Sequence, residues 1–398
     1  MQLSKHPVDA DRQPVVVAAF RTAVGRAFGA FEALEPQDLV APVIRHMIGQ
    51  VGFEPDAVDD VILGNATAGG GNIARLSALA SGLPVTVPGV TVDRQCGSGL
   101  EAVILASRMV QAGAGECYLA GGVESVSRAP WRVEKPRGKA GLPRFYGRAR
   151  FSPDDIGDPE MGVAAENVAR ACGVSRERQD LFALSSHEKA VTAMDAGAYD
   201  QEIVPVESGG MLIERDECPR RNASMEALSA LPPVFVDNGT VTAGNACPLN
   251  DGASVTLITS RRLARTLGVK KGLMFIDAAS AGVDPNLLGL GPVGSTQRLL
   301  RRQPALALKD IDLVEFNEAF AAQVLGSIDR LDIAAERVNR EGGALALGHP
   351  FGASGAILVT RLFSQFARRQ TDGALGMAML GIGGGLGLTA LFQWVEEL

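Results

Sequence analysis

Histidine and cysteine are scarce in this chain: four histidines (6, 46, 187, 349) and five cysteines (96, 117, 172, 218, 247) among 398 residues. The cysteines stand singly and in odd number, with no CxxC pair, so neither a zinc knuckle nor a disulfide framework is suggested. Histidines this far apart give metal chemistry little to build on, and no metal ligands are assigned. No apolar run reaches eighteen residues, which argues against a membrane-spanning helix. The stretch Met1 to Pro14 has neither a signal-peptide core nor an Arg-rich amphipathic transit pattern, so a cytoplasmic location is the expectation. Positive charge is also in deficit. With 38 Lys and Arg against 45 Asp and Glu, the net charge of −7 opposes nucleic-acid binding.

What is present describes a globular protein of about two to three domains, 46% hydrophobic and 21% charged. The 47 glycines exceed the usual ~7% and cluster, as expected where backbone takes unusual angles or packs close to a ligand.

Short apolar runs alternate with amphipathic stretches. Val15–Ala19 predicts a buried strand, Asp38–Val51 a helix closed by Gly52, and Val58–Leu63 a strand ending at Gly64-Asn65. Val90–Val92 leads into Asp93-Arg94-Gln95-Cys96-Gly97-Ser98-Gly99, then a helix to about Ala112 capped by Gly113, then a strand Glu116–Ala120 ending at Gly121-Gly122. The C-terminal third has strands at Met274–Ala278 and Asp310–Phe316, with Asn317 opening a helix. Ala344–Leu347 leads into a loop, Gly348–Gly355, and a helix to about Arg369. Leu375–Leu380 and Leu386–Val395 form a closing hairpin. Gly64 stands 32 residues before Cys96, and Asn317 stands 32 before His349. That repeat predicts an α/β protein of two similar halves. Between them, residues 121–250 are less regular. From Arg128 to Arg150 there are eight Lys or Arg against one Glu, which suits a cover over an anionic ligand, an oligomer contact or a solvated loop.

Two residues carry candidate chemistry. Cys96 lies between a strand and a helix, where the helix N-terminus and free N–H groups favour a thiolate able to attack a carbonyl. A small buried cysteine fits the same pattern. His349 sits in the segment 342–355, stiffened by Pro350 and five glycines, a setting for an oriented proton-transferring group or for a structural histidine. His6 lies in the N-terminal tail, and His46 and His187 fall in helical patterns.

Five segments, in order along nearly the whole chain, resemble the signatures of the thiolase family. They are Asp93–Gly99, Gly121-Gly122-Val123-Glu124-Ser125, Gly239-Thr240-Val241-Thr242-Ala243-Gly244-Asn245, Asn317-Glu318-Ala319-Phe320-Ala321 and the loop 342–355 around His349. The resemblance implies a five-layer αβαβα fold: an N-terminal half over 1–120 with 251–270 returning to it, a loop domain over 121–250, and a C-terminal half over 271–398. It implies assembly as homodimer or homotetramer, no permanently bound cofactor, and acyl-CoA as substrate. Cys96 would be the acyl-accepting nucleophile and His349 its activator. Asn317, through a water, and His349 would form one oxyanion hole, and the N–H groups of Cys96 and Gly383 the other. Arg220 would lie near the nucleotide of coenzyme A, Phe235 and Cys247 along the pantetheine channel, and Met161 and Phe320 at the acyl end.

One departure stands out. Thiolases carry a second catalytic cysteine just before Ile-Gly-Gly-Gly of the closing hairpin, and here that position is Gly381. The missing thiol is the group that would move the second proton, at the α-carbon in condensation or at the coenzyme A thiol in cleavage. Gly381 is open to three readings: an engineered trap, a natural paralogue with altered chemistry, or a role taken over elsewhere, with Cys247 the named candidate. Asp93 and Glu160 are smaller departures beside the pocket. A non-catalytic acyl-CoA-binding relative remains an alternative. So does a ketosynthase-like acyl transfer, although that needs two active-site histidines where only His349 has a convincing setting.

Overall fold

The computed structural model describes residues 9–136, 138 and 141–398. His6, Arg137 and Lys139 lie outside the described residues. Nine strands form one mixed sheet: β1 (Pro14–Arg21), β2 (Asp60–Gly64), β3 (Gly89–Val92), β4 (Cys117–Ser125), β5 (Asn250–Ser260), β6 (Gly272–Gly282), β7 (Leu313–Phe316), β8 (Leu375–Ile382) and β9 (Leu386–Val395), in the order β7-β8-β9-β6-β1-β5-β4-β2-β3. The strand Gly25–Arg26 adds to β5 off this path. The duplication is visible in the pairing. On one side β2 runs parallel to β4, which is antiparallel to β5, itself antiparallel to β1. On the other, β7, β8, β9 and β6 repeat that series with the same directions.

Strand side chains alternate between two buried faces. On β8, Ala378, Leu380 and Ile382 enter a central core, while Met377 and Met379 enter an outer one. The helices α2 (Ser98–Ala112) and α7 (Phe351–Arg369) occupy the centre, between the two halves. Helix α1 (Pro36–Val51) covers the outer face of the first half. On the second half, α5 (Gly291–Arg302) and α6 (Ala321–Leu331) do the same. Outer helices, one half of the sheet, central helices, the other half of the sheet and outer helices make the five layers.

The N-termini of α2 and α7 cross in close contact. A side chain on Gly99 would start 2.6 Å from the Gly352 carbonyl oxygen, and one on Gly122 only 1.9 Å from it. Glycine here serves backbone packing, and the crossing sets Cys96 and His349, each just ahead of its helix, on either side of one point. Gly122→Ala must displace rigid backbone, so it should lower stability by about 1–3 kcal/mol, as overpacking does. A thermal-denaturation curve matching the wild type would contradict this close contact.

Four expectations are corrected. The strand expected to end at Gly121-Gly122 runs on to Ser125, because those glycines pair with β5 under α7. The strand expected from Asp310 starts at Leu313, since the Asp310 carboxylate accepts the Ala307 N–H (2.8 Å) and closes a 3₁₀ turn. Asn317 does not open a helix. Its N–H donates to the Met379 carbonyl (3.0 Å), the Ala319 carbonyl accepts the Cys247 N–H (3.0 Å), and α6 begins only at Ala321. The expected loop Gly348–Gly355 is likewise helical from Phe351.

The intermediate segment is anchored by buried charge. Arg21 of β1 pairs with Glu202 (2.8 Å) and Asp216 (2.7 Å), and Arg361 of α7 pairs with Glu202 (2.6 Å) and Glu341. Breaking one such pair strands a buried charge, at about 3–5 kcal/mol. The same segment carries helices α3 (Met161–Cys172) and α4 (Arg176–Asp195).

Candidate active site

Cys96 sits at the tip of the turn between β3 and α2. Gln95, with φ of 50°, takes the left-handed region that side chains rarely adopt. The turn is held by Gln95 N–H on Asp93 Oδ1 (2.8 Å) and by the Ser98 hydroxyl, which donates to the Gln95 carbonyl (2.6 Å) and accepts the Arg94 N–H (2.8 Å). The half-buried sulfur faces the N–H groups of Gly383 and of Cys96 itself. Burial nevertheless dominates and pushes the thiol up to about 12, with smaller contributions from Glu124 and Asp93. The expected resting thiolate is therefore corrected. The N–H groups of Gly383 and Cys96 do lower the thiol, but desolvation outweighs them.

His349 is 1% exposed. Its N–H donates to Asn250 Oδ1 (2.8 Å), and the ring lies edge-on to Phe351 at 5.2 Å. Nδ1 is 2.6 Å from the Ser354 hydroxyl, and Nε2 is 3.4 Å from Asn317 Nδ2. Ser354 places its single hydrogen on the Pro350 carbonyl (3.0 Å), so it accepts from Nδ1–H. Nε2 then carries the lone pair, which faces the Asn317 amide. Burial lowers the ring to about 4, which leaves a neutral imidazole able to take a proton. The ring and the Cys96 sulfur make no hydrogen bond with each other among the described residues.

Asn317 follows β7 directly, and the next residue locks it in place. Buried Glu318 accepts the Ser186 hydroxyl (2.6 Å), Asn339 Nδ2 (2.7 Å) and the Leu345 N–H (3.1 Å). Ala246 bridges to Phe320, which brings Cys247 beside this loop. Phe235 packs on Gly162 and meets Phe320 edge-on at 6.1 Å, while Met161 joins the Phe320 cluster. The Met161 sulfur lies 3.6 Å from where a Gly383 side chain would begin. Met161, Phe235, Cys247, Phe320 and Gly383 thus converge. Arg220 is not drawn into this group: its side chain is exposed, and its N–H donates to His187 Nδ1 (3.2 Å) on α4.

The thiolase N-terminal domain profile matches residues 14–262, and the C-terminal domain profile matches residues 270–394. The chain belongs to the thiolase family. VraB of Staphylococcus haemolyticus, provisionally named an acetyl-CoA C-acetyltransferase, is 46% identical over 96% of this chain and 99% of its own length. VraB of Staphylococcus aureus MRSA252, named likewise, is 47% identical over 96% and 99%. The crystal structure of the Bacillus anthracis acetyl-CoA acetyltransferase superposes with a TM-score of 0.89 at 36% identity, covering 97% of this chain and 100% of that one. The fold and the acyltransferase class follow.

In this thiolase Gly381 lies on β8, two residues before Gly383. A side chain there would begin 3.4 Å from Gln323 Nε2 and 3.5 Å from the Gly289 carbonyl oxygen, which is ordinary contact. Asp93 caps the Cys96 turn, and Glu160 pairs with Arg148 (3.3 Å) at the surface. Sequence reasoning missed Asn250, Ser354 and Phe151, whose ring lies 2.8 Å from the side-chain position of Gly383. Ser354, one helical turn past His349, was the most legible of them. Asn250 is 99 residues from its partner and carried no local signal.

Proposed function

We propose that this thiolase forms an acyl-enzyme on Cys96 and exchanges it with coenzyme A, cleaving 3-ketoacyl-CoA or running the reverse condensation. The observation that carries the reading is a neutral His349 whose Nε2 lone pair faces Asn317, across the α2–α7 crossing from a protonated thiol aimed at the Gly383 N–H. His349 takes the Cys96 proton as the sulfur attacks the 3-keto carbon. The C2–C3 bond breaks, and its electron pair leaves as the enolate of the shorter acyl-CoA, which is then protonated. The coenzyme A thiol attacks acyl-Cys96 and frees the sulfur. The N–H groups of Cys96 and Gly383 hold the oxyanion of the acyl group on Cys96. Asn317, through a water, and His349 serve the other thioester. Gly381 supplies no proton carrier, so the second proton transfer is slow.

Residues 121–250 cover the pocket, Arg220 meets the nucleotide, Phe235 and Cys247 line the pantetheine channel, and Met161 and Phe320 bound the acyl group. The names of the relatives support acetyl as that group. A homo-oligomer is supported by β3, a terminal strand whose surroundings expose Leu76, Leu79, Val85 and Val90. Incubation with acetoacetyl-CoA and coenzyme A, followed by chromatography, should show coenzyme A-dependent formation of acetyl-CoA. No cleavage of any chain length would favour an acyl-CoA-binding protein.

A further inference from the structure

Gln323, in the first turn of α6, has no part in the chemistry above. It is 2% exposed, and neither atom of its carboxamide has a hydrogen-bond partner among the described residues. Buried polar groups are nearly always paired, so an orphan marks a place where something polar is bound. The stem of Gln323 lies over Gly289, where a side chain would begin 2.6 Å from its Cγ. This aims the carboxamide at Gly381, with Nε2 3.4 Å from the point where a side chain would start. The Gly289 carbonyl oxygen is 3.5 Å from the same point. It accepts the Ser327 hydroxyl (2.8 Å) and keeps a second lone pair. A donor and an acceptor therefore converge on the space left by the missing side chain, two residues before Gly383.

We propose that Gln323, the Gly289 carbonyl and Gly381 form a subsite for a neutral hydroxyl-type oxygen. Its source is a hydroxyl on the α-carbon of the acyl group or, where the substrate has none, a bound water. A hydroxyl both donates and accepts and so satisfies both walls. A methyl satisfies neither, and a carboxylate would carry a buried charge. The subsite rests on the thiolase reading only for where the α-carbon lies.

Binding tests it without turnover. Calorimetry on a Cys96→Ala protein would compare glycolyl-CoA with propionyl-CoA, which differ by hydroxyl against methyl on the α-carbon, and with acetyl-CoA. Glycolyl-CoA should bind about 10-fold more tightly than propionyl-CoA, the scale of one net hydrogen bond, and Gln323→Leu should erase the difference. Gly381→Ala, whose methyl fits without a clash, should erase it from the opposite wall. Weakening of glycolyl-CoA alone identifies the substrate hydroxyl as the oxygen. Equal weakening of acetyl-CoA identifies a water. Three affinities unchanged by both variants would overturn the subsite, and binding of none of the three would overturn it together with the thiolase reading. If these ratios hold while the intact enzyme never acylates Cys96, the subsite stands and the catalytic reading falls.

Discussion

His349→Ala should slow acylation of Cys96 by about 10²–10⁴-fold, the usual contribution of a positioned proton-transfer group. With the thiol at about 12, very little of it is thiolate at neutral pH, so attack requires a base. The ring, held near 4 by burial, is that base in its neutral form. In the wild type, acylation should rise as pH increases through about 4 and then level off. In the variant it should keep climbing with pH toward 12, as hydroxide alone generates the thiolate. The sign for stability follows from the same shift. Below the unfolded value of about 6.5 the unfolded chain binds the proton that folded His349 refuses, so this stability is full above that pH and is lost as pH falls toward 4. Stopped-flow acylation across pH checks the first claim. A variant within tenfold of the wild type would show that another group takes the proton.

Gly381→Cys should raise steady-state thiolysis by about 10²-fold or more, equivalent to roughly 2.7 kcal/mol of barrier. The position accepts a side-chain carbon: the nearest atoms to it are 3.4–3.5 Å away, so that carbon fits without a backbone shift. Acyl-enzyme should accumulate in the present protein, because acylation needs only His349 while the second transfer lacks its group. If Cys247 has taken the role, Gly381→Cys changes little and Cys247→Ser abolishes turnover. Burial and the neighbouring Cys96 push the Cys247 thiol strongly upward, which makes it a weak source of thiolate.

The layered duplication was legible because its signals are local. Apolar runs, the glycine caps at 52 and 113, and the 32-residue interval all lie within a few dozen residues of one another. The pairing of Cys96 and His349 came from family signatures, and their shared crossing from glycines that sequence alone could assign equally to turns or ligand contact. What escaped depends on burial and long-range contact. Desolvation reversed the expected ionisation of Cys96. Asn317 stayed out of a helix because β8 and Cys247 claim its backbone neighbours. Gln323 reads as an ordinary helix residue until its unpartnered carboxamide is seen beside Gly381.

The most direct measurement is intact-protein mass spectrometry with peptide mapping after exposure to acetyl-CoA and to a 3-ketoacyl-CoA. A single acyl group on the peptide containing Cys96, absent from Cys96→Ala, is the predicted result. A label confined to Cys117 or Cys247, or coenzyme A binding with no covalent adduct, would contradict Cys96 as the nucleophile.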